Sequence, residues 1–371
     1  MHVLHVVTAG RIGGAERLIA DVLVAASRVG RYQASVCVLQ RAGDLGEELA
    51  RAGVPVHELG LAGAVGTPLA LASLVRLLRA RRVDVVHTHL LHASAIGLTA
   101  ARLAGTPLAV MTRHYDRYVS MYGNGVDRVL QRTANMLAHH IFAISDAARQ
   151  TLVHEEGVPA TRVTVVENGT DVERIERLAL GAGTRAGEGL IVGTVGSLER
   201  RKGHEHLLDA IARVRLEPLP RLVLIGDGPE RGRLVALAER LGVADRVEFA
   251  GYLRNPYPRI AGFDIYAQPS VEEGFGIAVI EAMALERPVV VARSGGLPEI
   301  VTDGLNGIVV PPADPRALGD AIARLAADTV LRRRLAAAGK ALVAERFDAA
   351  RTAERYGQAY VELLGSRRLT S

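Results

Sequence analysis

Only two of the 45 basic residues in this 371-residue chain are lysine, Lys202 and Lys340; the rest are arginine. Arginine presents a planar fork and lysine a compact point charge, so the rare lysine marks a place where a point charge is wanted. Lys202 lies in GSLERRKGHEHLLDA (196–210), beside Arg200 and Arg201. An apolar run precedes this stretch and a helical pattern follows it. That puts three cations where a diphosphate can be clamped. A solvated basic loop is the plain alternative, and the scarcity of lysine elsewhere weighs against it for Lys202.

The strongest constellation is QPSVEEGFGIAVIEAMALERPVVVARSGGLPEIV (268–301). A strand ends near Gln268, and Glu272, Glu273 and the turn Gly274-Phe275-Gly276 follow. A helix is expected from about Gly276 through Ala284, with Ile277 in its first turn and Glu281 inside it. The free amides that open such a helix suit phosphate, and glycine lets the backbone approach closely. Carboxylates accept hydrogen bonds from sugar and ribose hydroxyls. Glu273 and Glu281 beside a phosphate site therefore suit a sugar nucleotide. An isolated E-x7-E is usually a solvated helix face. The Gly turn and the later Ser294-Gly295-Gly296-Leu297-Pro298-Glu299 turn lift this one above that background.

Two weaker signals lie in the first half. Gly13-Gly14 with Glu16 forms a turn after the first apolar run, but the full G-x-G-x-x-G fingerprint is missing. The next strand ends VCVLQR with no acid for a ribose, which argues against a nicotinamide cofactor. A turn offering backbone amides remains. Ten of the twelve histidines fall before residue 155. His87 and His89 share one face of a strand, as two metal ligands would, yet no third ligand is evident at a suitable spacing and no metal is expected. His114, at the end of the next strand within TRHYD, is better placed to touch substrate.

These residues need a scaffold, and the chain repeats one pattern twice. In the first half, HVLHVVT (2–8), ASVCVLQ (34–40), VDVVHTH (83–89), PLAVMTR (107–113), HIFAIS (140–145) and RVTVVEN (162–168) alternate with helical stretches. In the second, LIVGTVG (190–196), RLVLIG (221–226), VEFAG (247–251), DIYAQ (264–268), PVVVA (288–292) and GIVV (307–310) do the same. Apolar strands alternating with helices indicate α/β folding with parallel sheets covered on both faces. The expectation is two doubly wound domains in tandem, residues 1–180 and 187–349. The Gly-rich segment 177–189 reads as the linker, and the tail from about Ala313 is nearly continuous helix. In such folds ligands lie beyond the carboxyl ends of the strands, so two rims facing across a cleft would serve two substrates, or one with two chemically different parts.

The bulk properties narrow the class. No run reaches the ~18 apolar residues of a membrane helix. The opening MHVLHVVTAG reads as a strand rather than a signal peptide. The single cysteine, Cys37, sits in an apolar alternation as a small core residue. Net charge is +5, but there is no Trp and no basic tract interleaved with aromatics, which speaks against nucleic acid. A cytoplasmic location fits. Arg76, Arg79, Arg81 and Arg82 leave open a peripheral contact with anionic lipid at the inner membrane face; an ordinary surface helix is the alternative.

Together the segments resemble the retaining glycosyltransferases of family 4, the group 1 glycosyltransferases of GT-B fold. The resemblance covers nearly the whole chain: IGGAE (12–16), VDVVHTH (83–89), FAISDAARQTL (142–152), VVENGTD (165–171), VGSLERRKGHEHLLDA (195–210), LIGDGPE (224–230), VEFAGYL (247–253) and the Glu273/Glu281 block. It implies a Rossmann-like N-terminal acceptor-side domain, onto which a last helix near 350–371 crosses back, and a C-terminal donor-binding domain. Glu281 would bind the donor ribose. Glu273 would hold hydroxyls of the transferred sugar, helped by amides around Gly274, Phe275, Gly276 and Ile277. Lys202, with Arg201 or Arg200, would neutralise the diphosphate, and Gly14 would bring it an amide. The loop after Gly251, with Arg254, would bracket the base. His114 would contact the sugar. Gly13, Glu16 and His89 would lie on the acceptor side, as would Tyr115 and Tyr118 in a loop 115–124 that also holds Tyr122. Ser197 stands where many members carry arginine, which leaves Arg200 and Arg201 to compensate.

The resemblance implies retention by same-face attack, with the two glutamates holding the donor rather than acting as a glycosidase pair. It implies no metal and no cofactor, the nucleotide-diphosphate sugar being a substrate. The expected partners are a UDP- or GDP-linked hexose or N-acetylhexosamine and a hydroxyl acceptor. The acceptor is a glycan or lipid-linked one in cell-surface polysaccharide, lipopolysaccharide or glycolipid synthesis. Alternatives are a small soluble acceptor, a sugar-nucleotide epimerase, and a non-catalytic binding protein.

Overall fold

The structure, a computed structural model, describes residues 1–10, 14–61, 68–115, 119, 121, 123–180 and 189–368. It divides into two compact units: residues 1–170 with 348–371, and residues 171–347.

In the first unit the strands are β1 (His2–Val7), β2 (Gln33–Val38), β3 (Val56–Glu58), β4 (Val85–His89), β5 (Leu108–Arg113), β6 (His140–Ala143) and β7 (Val163–Val165). All pair in parallel in the order β3-β2-β1-β4-β5-β6-β7. Every residue of β4 and β5 is buried. A parallel sheet is covered on both faces, so the apolar starts of these strands are buried, and so are the polar His87, Thr88, His89, Thr112 and Arg113 at their carboxyl ends. The three-residue β3 has no apolar run and is not legible in the sequence. The last helix, Ala349–Arg368, packs against the helix Gly14–Val29 and sends Tyr356 and Tyr360 into this core. The chain re-enters beside the point where it left. The Ala349 amide donates to the Thr170 carbonyl at 3.1 Å, and Thr352 Oγ1 donates to the Glu167 carbonyl at 2.9 Å. Cys37 is fully buried in β2, as expected, and burial pushes its thiol up to about 12.

In the second unit β8 (Ile191–Val195), β9 (Arg221–Ile225), β10 (Val247–Gly251), β11 (Ile265–Gln268), β12 (Val289–Ala292) and β13 (Ile308–Val310) pair in parallel in the order β10-β9-β8-β11-β12-β13. Both sheets are the doubly wound ones the sequence predicts. Each reverses its winding once, between β1 and β4 and between β8 and β11, and ligands of open α/β sheets collect at such a reversal.

The helix Val172–Ala179 clusters with the second unit, so the division falls at 170/171 rather than at the 180/187 expected from the Gly-rich segment. The helix is amphipathic, with Ile175 fully buried, and Asp171 caps it by accepting from the Arg174 amide at 2.8 Å. Lys340 Nζ lies 2.7 Å from Glu176. Composition alone misses a boundary set by packing. Residues 181–188 of the expected linker lie outside the described residues.

Candidate active site

Lys202 and Glu273 meet. β8 delivers the chain into the short 3-10 turn Arg200–Lys202, and β11 delivers it to Glu273 five residues past Gln268. These two strands flank the reversal point of the second sheet. Lys202 Nζ lies 2.7 Å from Glu273 Oε2, and both side chains are close to nine-tenths buried. The same oxygen accepts from Ser270 Oγ at 3.0 Å and from Gln268 Nε2 at 3.2 Å. Gln268 is itself held by the Tyr266 hydroxyl, which donates to its Oε1 at 2.7 Å. Burial raises the Glu273 carboxyl, but the Lys202 charge and hydrogen bond, the Arg201 charge and the Ser270 hydroxyl outweigh it and hold the group below its ordinary value.

Two glycines let these loops close. The amides of Val271 and Glu272 donate to the Arg201 carbonyl at 2.9 and 3.2 Å, tying the lysine turn to the glutamate loop. Next to that tie, Gly203 is at φ +65°, and a Cβ there would stand 2.2 Å from the Pro269 carbonyl oxygen. Gly295, at φ +49°, passes behind Glu273; a Cβ would stand 1.8 Å from the Glu273 carbonyl oxygen, which accepts instead from the Gly296 amide at 3.1 Å.

The helix Ile277–Ala284 starts at Gly276, with no side chain capping its first amides. Its Glu281 is buried and accepts from the Tyr257 hydroxyl at 2.9 Å. Arg174 lies over the Tyr257 ring, 5.6 Å from the centroid. Tyr257, Arg174, Ser270 and Gln268 therefore orient the two glutamates. Tyr257 and Arg174 lie outside the block 268–301 in the chain and carry no sequence signal; Gln268 and Ser270 lie within it, and their polarity at a buried strand end is the signal available.

The other expected donor-side residues divide. Arg201 is partly buried, with Nε 2.6 Å from Glu199, and its charge acts on Glu273. Arg200, on the same 3-10 turn, is three-quarters exposed and lies 3.4 Å from Glu230 rather than beside Glu273. Ser197 is half-buried on the same loop, Arg254 is exposed after β10, and Gly274 and Ile277 are half-buried around the helix start. The Phe275 side chain is core, its ring edge-on to Phe347 at 5.8 Å, so only its backbone faces a ligand role.

In the first unit Gly14 is exposed at the start of its helix, and Glu16 is half-buried in the first turn. His114 follows β5, and its packed surroundings push its pKa down to about 4. His89 is 3% exposed and both its ring nitrogens are engaged, with His5 and with His114. A third imidazole near His87 and His89 does exist, His5 on the neighbouring β1, which spacing along the chain hides. Both nitrogens of His87 are already bonded, to the Tyr360 hydroxyl at 2.6 Å and to Thr112 Oγ1 at 2.7 Å. Tyr115 is half-buried, its hydroxyl donating to Gln131 and its ring under Arg113 at 5.0 Å. Arg113 makes a buried pair with Glu156 at 2.6 Å, unforeseen in the sequence. Gly13, Tyr118 and Tyr122 lie outside the described residues.

Comparison with known proteins fits this geometry. The family model described as glycosyl transferases group 1 matches residues 159–342, and that of glycosyltransferase family 4 matches residues 12–174. The D-inositol 3-phosphate glycosyltransferase of Streptomyces bingchenggensis is 33% identical over 322 residues, 78% of this chain and 69% of that protein. The lipopolysaccharide core biosynthesis glycosyltransferase LpsE of Rhizobium meliloti is 34% identical over 205 residues, 55% of this chain and 58% of LpsE. Among solved structures, Anabaena HepE in complex with UDP-glucose is similar with a TM-score of 0.82 at 26% identity, covering 99% of this chain and 100% of that one. With two doubly wound sheets of GT-B type and these likenesses along its length, the chain belongs to the group 1, family 4 glycosyltransferases.

Proposed function

We propose that the protein moves a hexose or N-acetylhexosamine, with retention, from a UDP- or GDP-linked donor to a hydroxyl acceptor. The observation that carries the reading is the Lys202–Glu273 pair at the reversal point of the second sheet. A diphosphate arriving there draws Lys202 away from Glu273. Glu273 is not orphaned, because Ser270 and Gln268 still donate to it, and its freed lone pairs accept from sugar hydroxyls. Glu281, steadied by Tyr257, accepts from the ribose. His114 contacts the sugar. UDP is the favoured carrier because HepE is named with UDP-glucose.

The chemistry follows from charge. The bond between the anomeric carbon and the diphosphate oxygen breaks, and its electron pair leaves on that oxygen. Lys202, Arg201 and the free amides of the helix at Gly276 stabilise the charge as it develops. The acceptor hydroxyl attacks from the same face and its proton passes to the leaving oxygen. No carboxylate need become a covalent nucleophile, and no metal or cofactor is invoked.

For the acceptor we favour a cell-surface polysaccharide, lipopolysaccharide or glycolipid, in line with the name of the LpsE relative. Peripheral contact with anionic lipid belongs to this reading. Arg76 and Arg79, with Ala72, Val75 and Ala80, line an open groove of ≈ 610 Å³ on the helix Pro68–Ala80. A small soluble acceptor is the second reading, supported by the longer match to the inositol-phosphate enzyme. Among the described residues, no helix is long and apolar enough to cross a membrane.

A thermal-shift screen with UDP, GDP and ADP tests the donor site. The expected result is a rise with one of them that is lost in Lys202→Ala; no rise with any nucleotide sinks the proposal. Anomeric analysis of the product by NMR then tests retention, an inverted product refuting it. Donor turnover without acceptor, to an epimer rather than a glycoside, would move the protein to the epimerases.

A further inference from the structure

Four histidines converge in the first unit: His5 on β1, His87 and His89 on β4, and His114 just past β5. Three of them are joined in series. His5 Nδ1 lies 2.9 Å from His89 Nε2, and His89 Nδ1 lies 2.9 Å from His114 Nε2. Ring centroids are 5.2 Å apart in both steps, the spacing of rings bonded edge to edge through nitrogen. The planes of His5 and His89 differ by only 9°. His87 is not a link. Its ring lies against that of His89 with centroids 4.3 Å apart, and its own nitrogens are held by Tyr360 and Thr112. It walls the chain of rings and keeps it in line.

A neutral imidazole carries one N–H and one lone pair. Burial pushes His5 down to about 3 and His89 well below its ordinary value, so both are neutral near pH 7. Two hydrogen bonds in series between neutral rings allow only two proton patterns. Either all three rings are protonated on Nδ1, or all three on Nε2. Any mixture sets two lone pairs or two N–H groups against each other at one of the 2.9 Å junctions.

The far end of the series separates the two patterns. His5 Nε2 is buried and has no hydrogen-bond partner among the described residues. In the first pattern it is an unmet lone pair, and in the second an unmet N–H. A buried orphan N–H is the rarer and costlier defect. We infer that His5 and His89 are positioning residues that fix His114 as its Nδ1–H tautomer, so that His114 meets its ligand as a hydrogen-bond donor. The use of that donor rests on the reading above in which His114 touches the sugar, and its target is then an acceptor atom such as a hydroxyl oxygen. The tautomer itself does not depend on that reading.

The test is long-range 1H–15N NMR of the full chain labelled on histidine nitrogens, at neutral pH without nucleotide, each ring assigned by its own substitution. The expected spectrum shows Nδ1–H for His5, His89 and His114, the opposite of what histidine favours in water. Nε2–H in any of the three, an imidazolium, or a metal-bound ring overturns the inference. In His5→Phe the His114 signal is expected to move toward a tautomer mixture and kcat/KM to fall about tenfold with nucleotide affinity unchanged; a His114 ring that stays wholly Nδ1–H also overturns it. Should His5→Phe not fold, the wild-type spectrum decides alone. His114→Ala separates the two readings. Full activity in that variant, with His5 and His89 still Nδ1–H, removes the sugar contact and leaves the tautomer assignment standing. Lost activity with Nε2–H rings in the parent does the reverse.

Discussion

Lys202 and Glu273 are a buried pair whose members depend on each other unequally. Removing the lysine strips the donor site of a positive charge, and Lys202→Ala is expected to lower kcat roughly 100- to 1,000-fold. Glu273→Gln keeps the Ser270 hydrogen bond and most of the volume, so it is expected to fold normally while donor turnover falls at least about tenfold; wild-type rates in either variant would contradict the proposed roles. Tyr257→Phe removes one hydrogen bond to the buried Glu281 carboxylate. Such a bond is worth ~1.5–3 kcal/mol to the fold, so a fall in unfolding free energy of about that size is expected in denaturant titration, and unchanged stability would contradict it. Lys202 is legible in the sequence because lysine is so scarce there, and the two glutamates because a glycine turn and a helix start surround them. The partners Tyr257 and Arg174 are not, since contacts across a fold leave no spacing to read, whereas Gln268 and Ser270 sit within five residues of Glu273 and are legible only as polar residues at a strand end. Nor does sequence show that Arg200 turns to Glu230 while its neighbour Lys202 turns to Glu273.

The strands that carry these residues are legible because parallel sheets are apolar on both faces. β3 escapes because three residues at a sheet edge need no such run. Loops are a harder case, and the glycine turns behind Glu273 show why: their strain is visible only once the carbonyl they must pass is in place. Gly295→Ala forces a Cβ into the Glu273 carbonyl at a positive φ. It is expected to cost ~3 kcal/mol in denaturant unfolding and to weaken nucleotide binding in parallel. A fully stable Gly295→Ala variant would mean that the loop has another path. The helix Val172–Ala179 makes the same point at a boundary: glycine content marks 177–189, but the buried Ile175 decides which unit takes the helix.

Acid stability belongs to the molecule as a unit. His5 is buried neutral at about 3 against an ordinary 6.5, so below pH 6.5 the unfolded chain binds a proton that the folded one refuses. Stability therefore falls as pH drops from 6.5 towards 3, by ~1.4 kcal/mol per unit for each such ring. Glu273 and Glu156, held below their ordinary 4.5, add a further loss as pH falls below that value through their folded pKa values. Urea unfolding at pH 7, 5.5 and 4.5 should show a steady decline, and equal stability at pH 7 and 5 would refute it. The two-unit architecture also predicts that residues 171–347 expressed alone keep a nucleotide-dependent thermal shift, since Lys202, Glu273, Glu281 and Tyr257 all lie within them.

The return of the chain to its first unit bears on how the protein is made. Tyr356 and Tyr360, with Ala349 and Ala353 of the same helix, complete a core whose remaining buried residues are synthesised far earlier, while 171–347 has every strand of its own sheet before residue 348 appears. On the ribosome the second unit can finish while the first still waits with an open hydrophobic face. Translation that stops short of these tyrosines would leave a nucleotide-binding half attached to an unsealed one, a substrate for chaperones and proteases rather than a half-working enzyme.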